Sequence, residues 1–573
     1  MRLHALSGAL LLLRWLGAAP LSEARSTVPE QYDERLRLTS FAEGKVESEF
    51  AFVLQGPWHG QGIRLAQSTH VDHHSLVPHR LTSLVRQHRI SSFELTLSSG
   101  RWQPTWPLHL PASSSVPASG IEMTAWLELL EDESELEERQ RWEAFTSALG
   151  GLFCAGIASE GVLTSTTSPT WAVPFPLPEH EDEHRLYRLT IPRLSAACTE
   201  SLTPFLSLLP CSSRAGLSSL LNPHRLFDGE FTSIAVSMLR DERDGTVRFE
   251  LRIGSVQDPV RLDRLTGQLG RRAFSLDSLY GRTLKTACPV AASSAIELIV
   301  PSHSVNPFVI EPDLARETRN VDGRDVAVWD VAAALEEAAL DVWVSWPDEN
   351  VFHPPPPSKI LPTPPLVVRR LRSGAGQERG RLGVEVINHL EEEIEVVWVE
   401  TWPWWVRTFV HTLEAVVADN LSTDAVLALD YTPAIARERP TTLQAIVRIP
   451  PRATAHLTLA YEAASLWYTE YPADSNRGFS IPGATVLLLP PPRPAGDENS
   501  TDSSLRARQP ILQLHTPTTL LSMPTPDFSM PYNVIILSST VIALYFGSVV
   551  NGLLRRWTCV DLRGGGAVGE KGR

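Results

Sequence analysis

Cysteine and methionine are both scarce, at five each in 573 residues. So few thiols exclude a disulfide-dense scaffold, although an odd number leaves room for a bond to another chain. Net positive charge is also lacking. Fifty-one Lys and Arg against 66 Asp and Glu give a formal charge of −15, so no global field gathers phosphates. Broad nucleic-acid binding is thereby excluded, and any anionic partner needs a local site. The chain has no Walker sequence, no G-x-G-x-x-G after a strand, no G-x-S-x-G nucleophile elbow and no C-x-x-C. What is present is apolar: 43% of residues are hydrophobic and 16 are Trp, enough for real cores, while the length suggests three or four domain equivalents.

Both ends carry long apolar runs. Arg2 precedes a run from Ala5 to Ala19 with small residues at cleavage spacing, so residues 1–24 read as a secretory signal peptide. Val534 to Leu554 carries no charge and is long enough to cross a hydrocarbon core of about 30 Å as a helix. Tyr532 stands before it and Arg555, Arg556 and Trp557 follow, which puts the basic end in the cytosol. These features predict a type I protein with one membrane helix at 534–554, a cytosolic tail at 555–573 and the bulk of the chain luminal. The sequons Asn420-Leu421-Ser422 and Asn499-Ser500-Thr501 fit that side of the membrane and make Asn420 and Asn499 candidate glycosylation sites.

Between the ends, alternation of period two dominates. Ile234, Val236 and Met238 face Val247, Phe249, Leu251 and Ile253 around Asp244-Gly245, an antiparallel hairpin with one buried face. A second pair is expected between Leu443, Ala445, Val447, Ile449 and Ala455, Leu457, Leu459 across Pro450-Pro451, and a third joins Val384 and Val386 to Ile394, Val396 and Trp398. The expected fold is mostly β with some α, in antiparallel β-sandwich-like luminal domains. The helical exception runs from Met123 to Phe153, with Trp126, Leu129, Leu130, Leu136, Trp142, Phe145 and Leu149 near 3.6-residue spacing. Pro-rich runs then divide the chain into a mixed α/β segment at 25–230, a β-rich segment at 231–350, a linker at 351–365, a sandwich-like segment at 366–488 and a stalk at 489–533.

His180-Glu181-Asp182-Glu183-His184 matches H-E-x-x-H, the signature of a zinc hydrolase when both His share one helix face. Three prolines precede it and RLYRLTIP follows with strand alternation, so a solvated acidic turn fits better than a catalytic helix. The cluster His70, His73, His74, His79 and His88 fits no ligand spacing and reads as polar surface. No catalytic residue, metal site or cofactor is assigned. Of the luminal thiols, Cys154 lies in an apolar GLFCAGI suited to a core, whereas Cys198 lies in the polar AACTESLTP; Cys211 and Cys288 complete the four. Two internal pairs, or one bond to another chain, both remain open at this point. In PTPDFSMPYN, Asp527, Ser529 and Asn533 sit beside the membrane surface, where they could hydrogen-bond a phosphate or sugar, or merely form a stalk.

Four blocks, CTESLTPFLSLLPCSSRAGLSSLL from Cys198, WPWWVRTFVHTL from Trp402, WYTEYPADSNRGFSIP from Trp467 and PTPDFSMPYNVI from Pro524, together resemble the PIG-T subunit family of the glycosylphosphatidylinositol (GPI) transamidase. The resemblance implies a non-catalytic subunit of a complex in the endoplasmic reticulum membrane, whose caspase-like cysteine protease subunit cleaves a proprotein and transfers it to the GPI lipid. It further implies that Cys198 forms a disulfide to that catalytic subunit, that Asn476, Asp527, Ser529 and Asn533 contact the GPI headgroup, and that other membrane subunits and proprotein substrates are partners. Ser201 stands where the family often has the Asn of an Asn-Leu-Thr sequon, so a glycan there is lost. The alternative from another class is a single-pass luminal zinc-dependent hydrolase using His180 and His184.

Overall fold

The protein is represented by a computed structural model. It describes residues 30–555 except 59–75, 107–117, 158–163, 168–182, 193–195, 262–271, 302–305, 354–363, 375–377, 472–476, 492–509, 526–528 and a few stretches of one or two residues. The signal peptide at 1–24, most of the 351–365 linker, and all of the 555–573 tail beyond Arg555 lie outside the described residues.

Gln31–Ser40 shows why the first unit is a sheet. Tyr32, Leu36 and Leu38 alternate with Asp33, Arg35 and Arg37, and successive side chains of a strand point to opposite faces. Eleven strands with this habit join in the order Arg316–Val321, Arg324–Asp330, Ser293–Ile299, Gln31–Ser40, Val46–Pro57, Thr246–Gln257, Phe231–Asp241, Ile90–Gly100, Ile121–Glu128, His184–Ile191 and Thr164–Thr167. Neighbours are antiparallel except Gln31–Ser40 beside Ser293–Ile299. The apolar face runs unbroken from Phe52 through Leu251, Val236 and Leu95 to Met123, each opposite the next and all buried. The opposite face carries Arg–Glu pairs, among them Arg37–Glu297 at 3.1 Å, Arg252–Glu94 at 2.9 Å and Arg188–Glu122 at 2.5 Å. Because this one sheet uses strands from both sides of residue 230, the boundary between 25–230 and 231–350 separates no two cores.

The helix expected over 123–153 is two elements. Ile121–Glu128 is a strand of the large sheet, and the helix is Glu135–Phe153. Its start is set by a capping box: Ser134 Oγ accepts from the Glu137 N–H, and the Glu137 carboxylate accepts from the Ser134 N–H. Trp142, Phe145, Leu149 and Phe153 are buried against the sheet, whereas Leu130 and Leu136 are exposed.

The second unit packs two five-stranded sheets around one core. The first holds Leu366–Ser373, Arg379–Asn388, Thr454–Ala463, Val406–Val417 and Asn420–Leu421; the second holds Val426–Thr432, Thr441–Ile449, Ile394–Trp402, Thr485–Leu488 and Leu512–His515. The hairpin around Asp244-Gly245 forms as expected, with Asp241 opposite Thr246. The other two expected pairs do not form. Thr441–Ile449 and Thr454–Ala463 lie in different sheets, so Pro450-Pro451 carries the chain across the sandwich, as residues 389–393 do between Arg379–Asn388 and Ile394–Trp402. Asn388, fully buried, holds both crossings: its Nδ2 donates to the carbonyls of Glu392 and Pro450, each at 2.9 Å, and its Oδ1 accepts from Leu390 N–H at 2.9 Å.

Nor is 489–533 a plain stalk. Leu512–His515 completes the sandwich beside Thr485–Leu488, and Thr519–Leu521 pairs with Phe479–Ile481. The final helix, Ser529–Leu554, already contains Ser529 and Asn533. Its span Tyr532–Leu554 is long and apolar enough to cross a membrane and is covered by no other described residue. The two units meet at the large sheet's polar face. There Arg188 donates to Thr485 Oγ1 at 2.5 Å, and His515 Nε2 lies 3.4 Å from Glu122.

Candidate functional site

Cys198 stands at the N-cap of the short helix Thr199–Leu206 with its thiol exposed. The thiol donates to Glu200 at 3.1 Å and lies 3.2 Å from Ser201 Oγ, which also accepts from the Cys198 N–H. Two anchors brace this helix. Phe205 stacks on Phe153 with ring centroids 4.1 Å apart, and Cys211, five residues past the helix, is bonded to Cys288. Beside the disulfide, Gly216 has φ +69, and any Cβ there would strike the Glu34 carboxylate and Cys288.

Glu34 is the polar pin of this region. Buried under the helices, it accepts from Ser294 Oγ at 2.7 Å, Leu217 N–H at 3.1 Å and Tyr32 Oη at 3.2 Å. Burial raises its pKa above the ordinary carboxylate value, against the pull of those hydrogen bonds. Since Cys211 and Cys288 are bonded to each other, Cys198 has neither of them as a partner. Cys154 is not in the core. It closes the helix Glu135–Phe153 in the left-handed conformation, φ 53, which exposes its side chain while Phe153 turns inward.

The H-E-x-x-H reading fails on geometry. His184 opens the strand His184–Ile191, opposite Glu128, so no helix face presents it with His180, which lies outside the described residues. Among the described residues no group of three or more His, Cys, Asp and Glu side chains is placed to hold a metal. Of the His cluster, His79 begins the helix His79–Gln87 and His88 closes it; His70, His73 and His74 are outside the described residues.

The blocks from Trp402, Trp467 and Pro524 converge at the sandwich end from which the last helix departs. Trp405 packs on Phe479 and Phe479 on Tyr471, with ring centroids 5.2 and 5.7 Å apart. Tyr471 donates its hydroxyl to Pro524 O at 2.8 Å, and Phe479–Ile481 pairs with Thr519–Leu521. Both flanks of residues 472–476, which include Asn476, are thus tied to the segment leading to Asp527. Asn476, Asp527 and Asn499 themselves lie outside the described residues. Ser529 and Asn533 stand four residues apart in the helix Ser529–Leu554, and Asn533 is exposed. Asn420 lies in a two-residue strand opposite Val417.

Sequence reading did not single out Arg437. Its guanidinium lies over two indoles, 4.6 Å from the Trp404 centroid and 3.7 Å from that of Trp467, and pairs with both oxygens of Glu470 at 2.5 and 3.2 Å. That hydrogen bonding holds the Glu470 carboxyl below the usual carboxylate range. Trp404, in the WPWWVRTFVHTL block, and Trp467 and Glu470, in the WYTEYP block, carried signal, whereas Arg437 did not.

The family described as "Gpi16 subunit, GPI transamidase component" matches residues 16–268 and 265–567. The mouse GPI-anchor transamidase component PIGT is 30% identical over 563 residues, 93% of this chain and 91% of that protein. The human protein of the same name is 30% identical over 559 residues, 93% and 92% of the two chains. The Saccharomyces cerevisiae GPI transamidase component GPI16 is 27% identical over 569 residues, 92% and 89% of the two chains. The type II cohesin dyad of the Acetivibrio cellulolyticus scaffoldin ScaA matches 86% of this chain and 99% of that one at 9% identity, with a TM-score of 0.20, too low to establish a shared fold.

Proposed function

The chain belongs to the Gpi16 family of GPI transamidase components, and from that premise we propose that it is a non-catalytic subunit of the complex, joined to a caspase-like cysteine protease subunit through Cys198 and positioning the GPI lipid at the membrane edge. The observation that carries this reading is the thiol of Cys198: exposed on a braced helix end, with two of the chain's other thiols consumed by Cys211–Cys288. A rigid mount suits a covalent link, because a pre-ordered thiol loses little freedom when it is captured. In this reading the bulk of the chain faces the lumen of the endoplasmic reticulum, where disulfides persist, and other membrane subunits gather around the single helix.

The lipid role is supported by the convergence at the helix base. Asn476, Asp527, Ser529 and Asn533 are contributed by two segments whose flanks the Tyr471–Pro524 bond and the Phe479–Leu521 strand pairing draw together. An acidic body does not recruit an anionic lipid by its overall field, so hydrogen-bonding groups held at headgroup level are the chemistry required. The purified chain, assayed alone for transfer of a proprotein's acyl group to an amine acceptor, tests its non-catalytic status. No product is expected until the protease subunit is added; turnover by the chain alone would overturn the assignment.

A further inference from the structure

Trp467 and Tyr468 are the exposed aromatic pair of the second unit, 62% and 48% accessible. Exposure alone says little, but these two are built in place. Trp467 lies over Arg437, 3.7 Å from its guanidinium to the ring centroid, and Arg437 also contacts the Trp404 ring and is neutralised by Glu470. Glu470 also accepts from the Trp467 N–H at 2.6 Å, closing a single turn of helix at Tyr468–Glu470. Arg437 takes a left-handed backbone, φ 65, uncommon for a long side chain and sustained by these contacts. The chain therefore holds an exposed indole rigidly, with no unbalanced charge beneath it.

Its position relative to the last helix identifies what covers it. Tyr471, three residues after Tyr468, is bonded to Pro524 O, and Pro524 is separated from Ser529 by at most about 17 Å of extended chain. The helix that follows exposes Tyr532 at its start and an apolar surface thereafter. Trp and Tyr are the residues favoured where hydrocarbon meets headgroups, since each has an apolar body and a polar tip.

We infer that Trp467 and Tyr468 rest in the luminal headgroup layer of the bilayer as a second membrane contact beside the helix. One helix alone leaves the folded body free to tilt and swivel; a rigid aromatic contact displaced from the helix axis fixes its attitude on the membrane. This inference rests on the reading that Tyr532–Leu554 crosses the bilayer.

The test uses the full chain in phosphatidylcholine nanodiscs, with Cys154, Cys198 and Cys559 changed to Ser. A single thiol introduced by Tyr468→Cys, Leu136→Cys or Leu544→Cys carries an environment-sensitive NBD dye. Leu136 is exposed on the helix Glu135–Phe153 and serves as the aqueous reference; Leu544 reports the span. At 468, blue-shifted emission and several-fold more quenching by headgroup-proximal doxyl lipid than at 136 is expected, and Trp467→Ser should reduce that quenching. If 468 behaves like 136 while 544 is quenched by deep doxyl lipid, the aromatic contact is wrong and the span stands, whichever partner protein covers the pair. An unquenched 544 removes the span itself and the inference with it.

Discussion

Tyr471 donates its hydroxyl to the carbonyl of Pro524 at 2.8 Å, and this bond ties the residue just before 472–476, which include Asn476, to the chain that leads into the last helix. A hydrogen bond of this kind contributes about 0.5–1.5 kcal/mol net. Tyr471→Phe keeps the packing on Phe479 and removes only that bond. Surface display of a GPI-anchored reporter is expected to fall about two- to tenfold while co-purification of the complex persists. Unchanged display would show that the segment containing Asn476 needs no such tether.

Asn388 supports the sandwich crossings by donating and accepting at once. Asn388→Leu fills the space but strands the carbonyls of Glu392 and Pro450, at about 1–3 kcal/mol for each buried group left unpaired. Asn388→Asp should be equally damaging, because an ionised carboxylate offers no donor. Thermal melts that separate Asp from Leu, with Asp harmless, would contradict this account.

These crossings also mark the limit of what the sequence made legible. Alternation in Thr441–Ile449 and Thr454–Ala463 specifies which side chains face a core, and that requirement is met equally by a hairpin or by an arch between sheets. Only Asn388, 62 residues from Pro450, distinguishes the two, and a long-range hydrogen bond leaves no local pattern. The hairpin at Asp244-Gly245 was legible because its turn chemistry is local. Ser134-x-x-Glu137 was a readable helix start, masked by the apolar spacing of the strand before it. Leu512–His515 and Thr519–Leu521 are too short to alternate convincingly beside a Pro-rich run. At the candidate site, the significance of Cys198 came from resemblance; its braced geometry, and the exposure of Cys154, depend on backbone conformation that composition does not reveal.

Burial raises the Glu34 carboxyl above its ordinary value of 4.5. Folding therefore favours the protonated form, and Glu34's contribution to stability is fully present below that ordinary value and lost as pH rises through the folded-state value. In Glu34→Gln, Oε1 can still accept from Ser294 and Leu217 while the amide donates to Tyr32. The melting temperature of the variant relative to wild type should rise between pH 4 and pH 7, with a slope of at most one proton, about 1.4 kcal/mol per pH unit. A difference independent of pH would show that Glu34 is not the titrating group.

Glu122 joins the units by facing Arg188 and His515. Burial raises its pKa, but Arg188 and then His515 pull it below the ordinary carboxylate range. Glu122→Ala removes the carboxylate that faces Arg188 and His515, while Arg188 keeps its bond to Thr485, so the loss stays below about 3–5 kcal/mol, the cost of a fully stranded buried charge. Limited proteolysis should then cut the chain between the units faster, and wild-type cleavage rates would show that the contact does not hold them together.

The account turns most directly on Cys198. Complexes isolated with thiols blocked and run on non-reducing gels should show this chain in a high-mass adduct that collapses on reduction, contains the protease subunit, disappears in Cys198→Ser and persists in Cys154→Ser. An adduct intact in Cys198→Ser would contradict the assignment of the linkage.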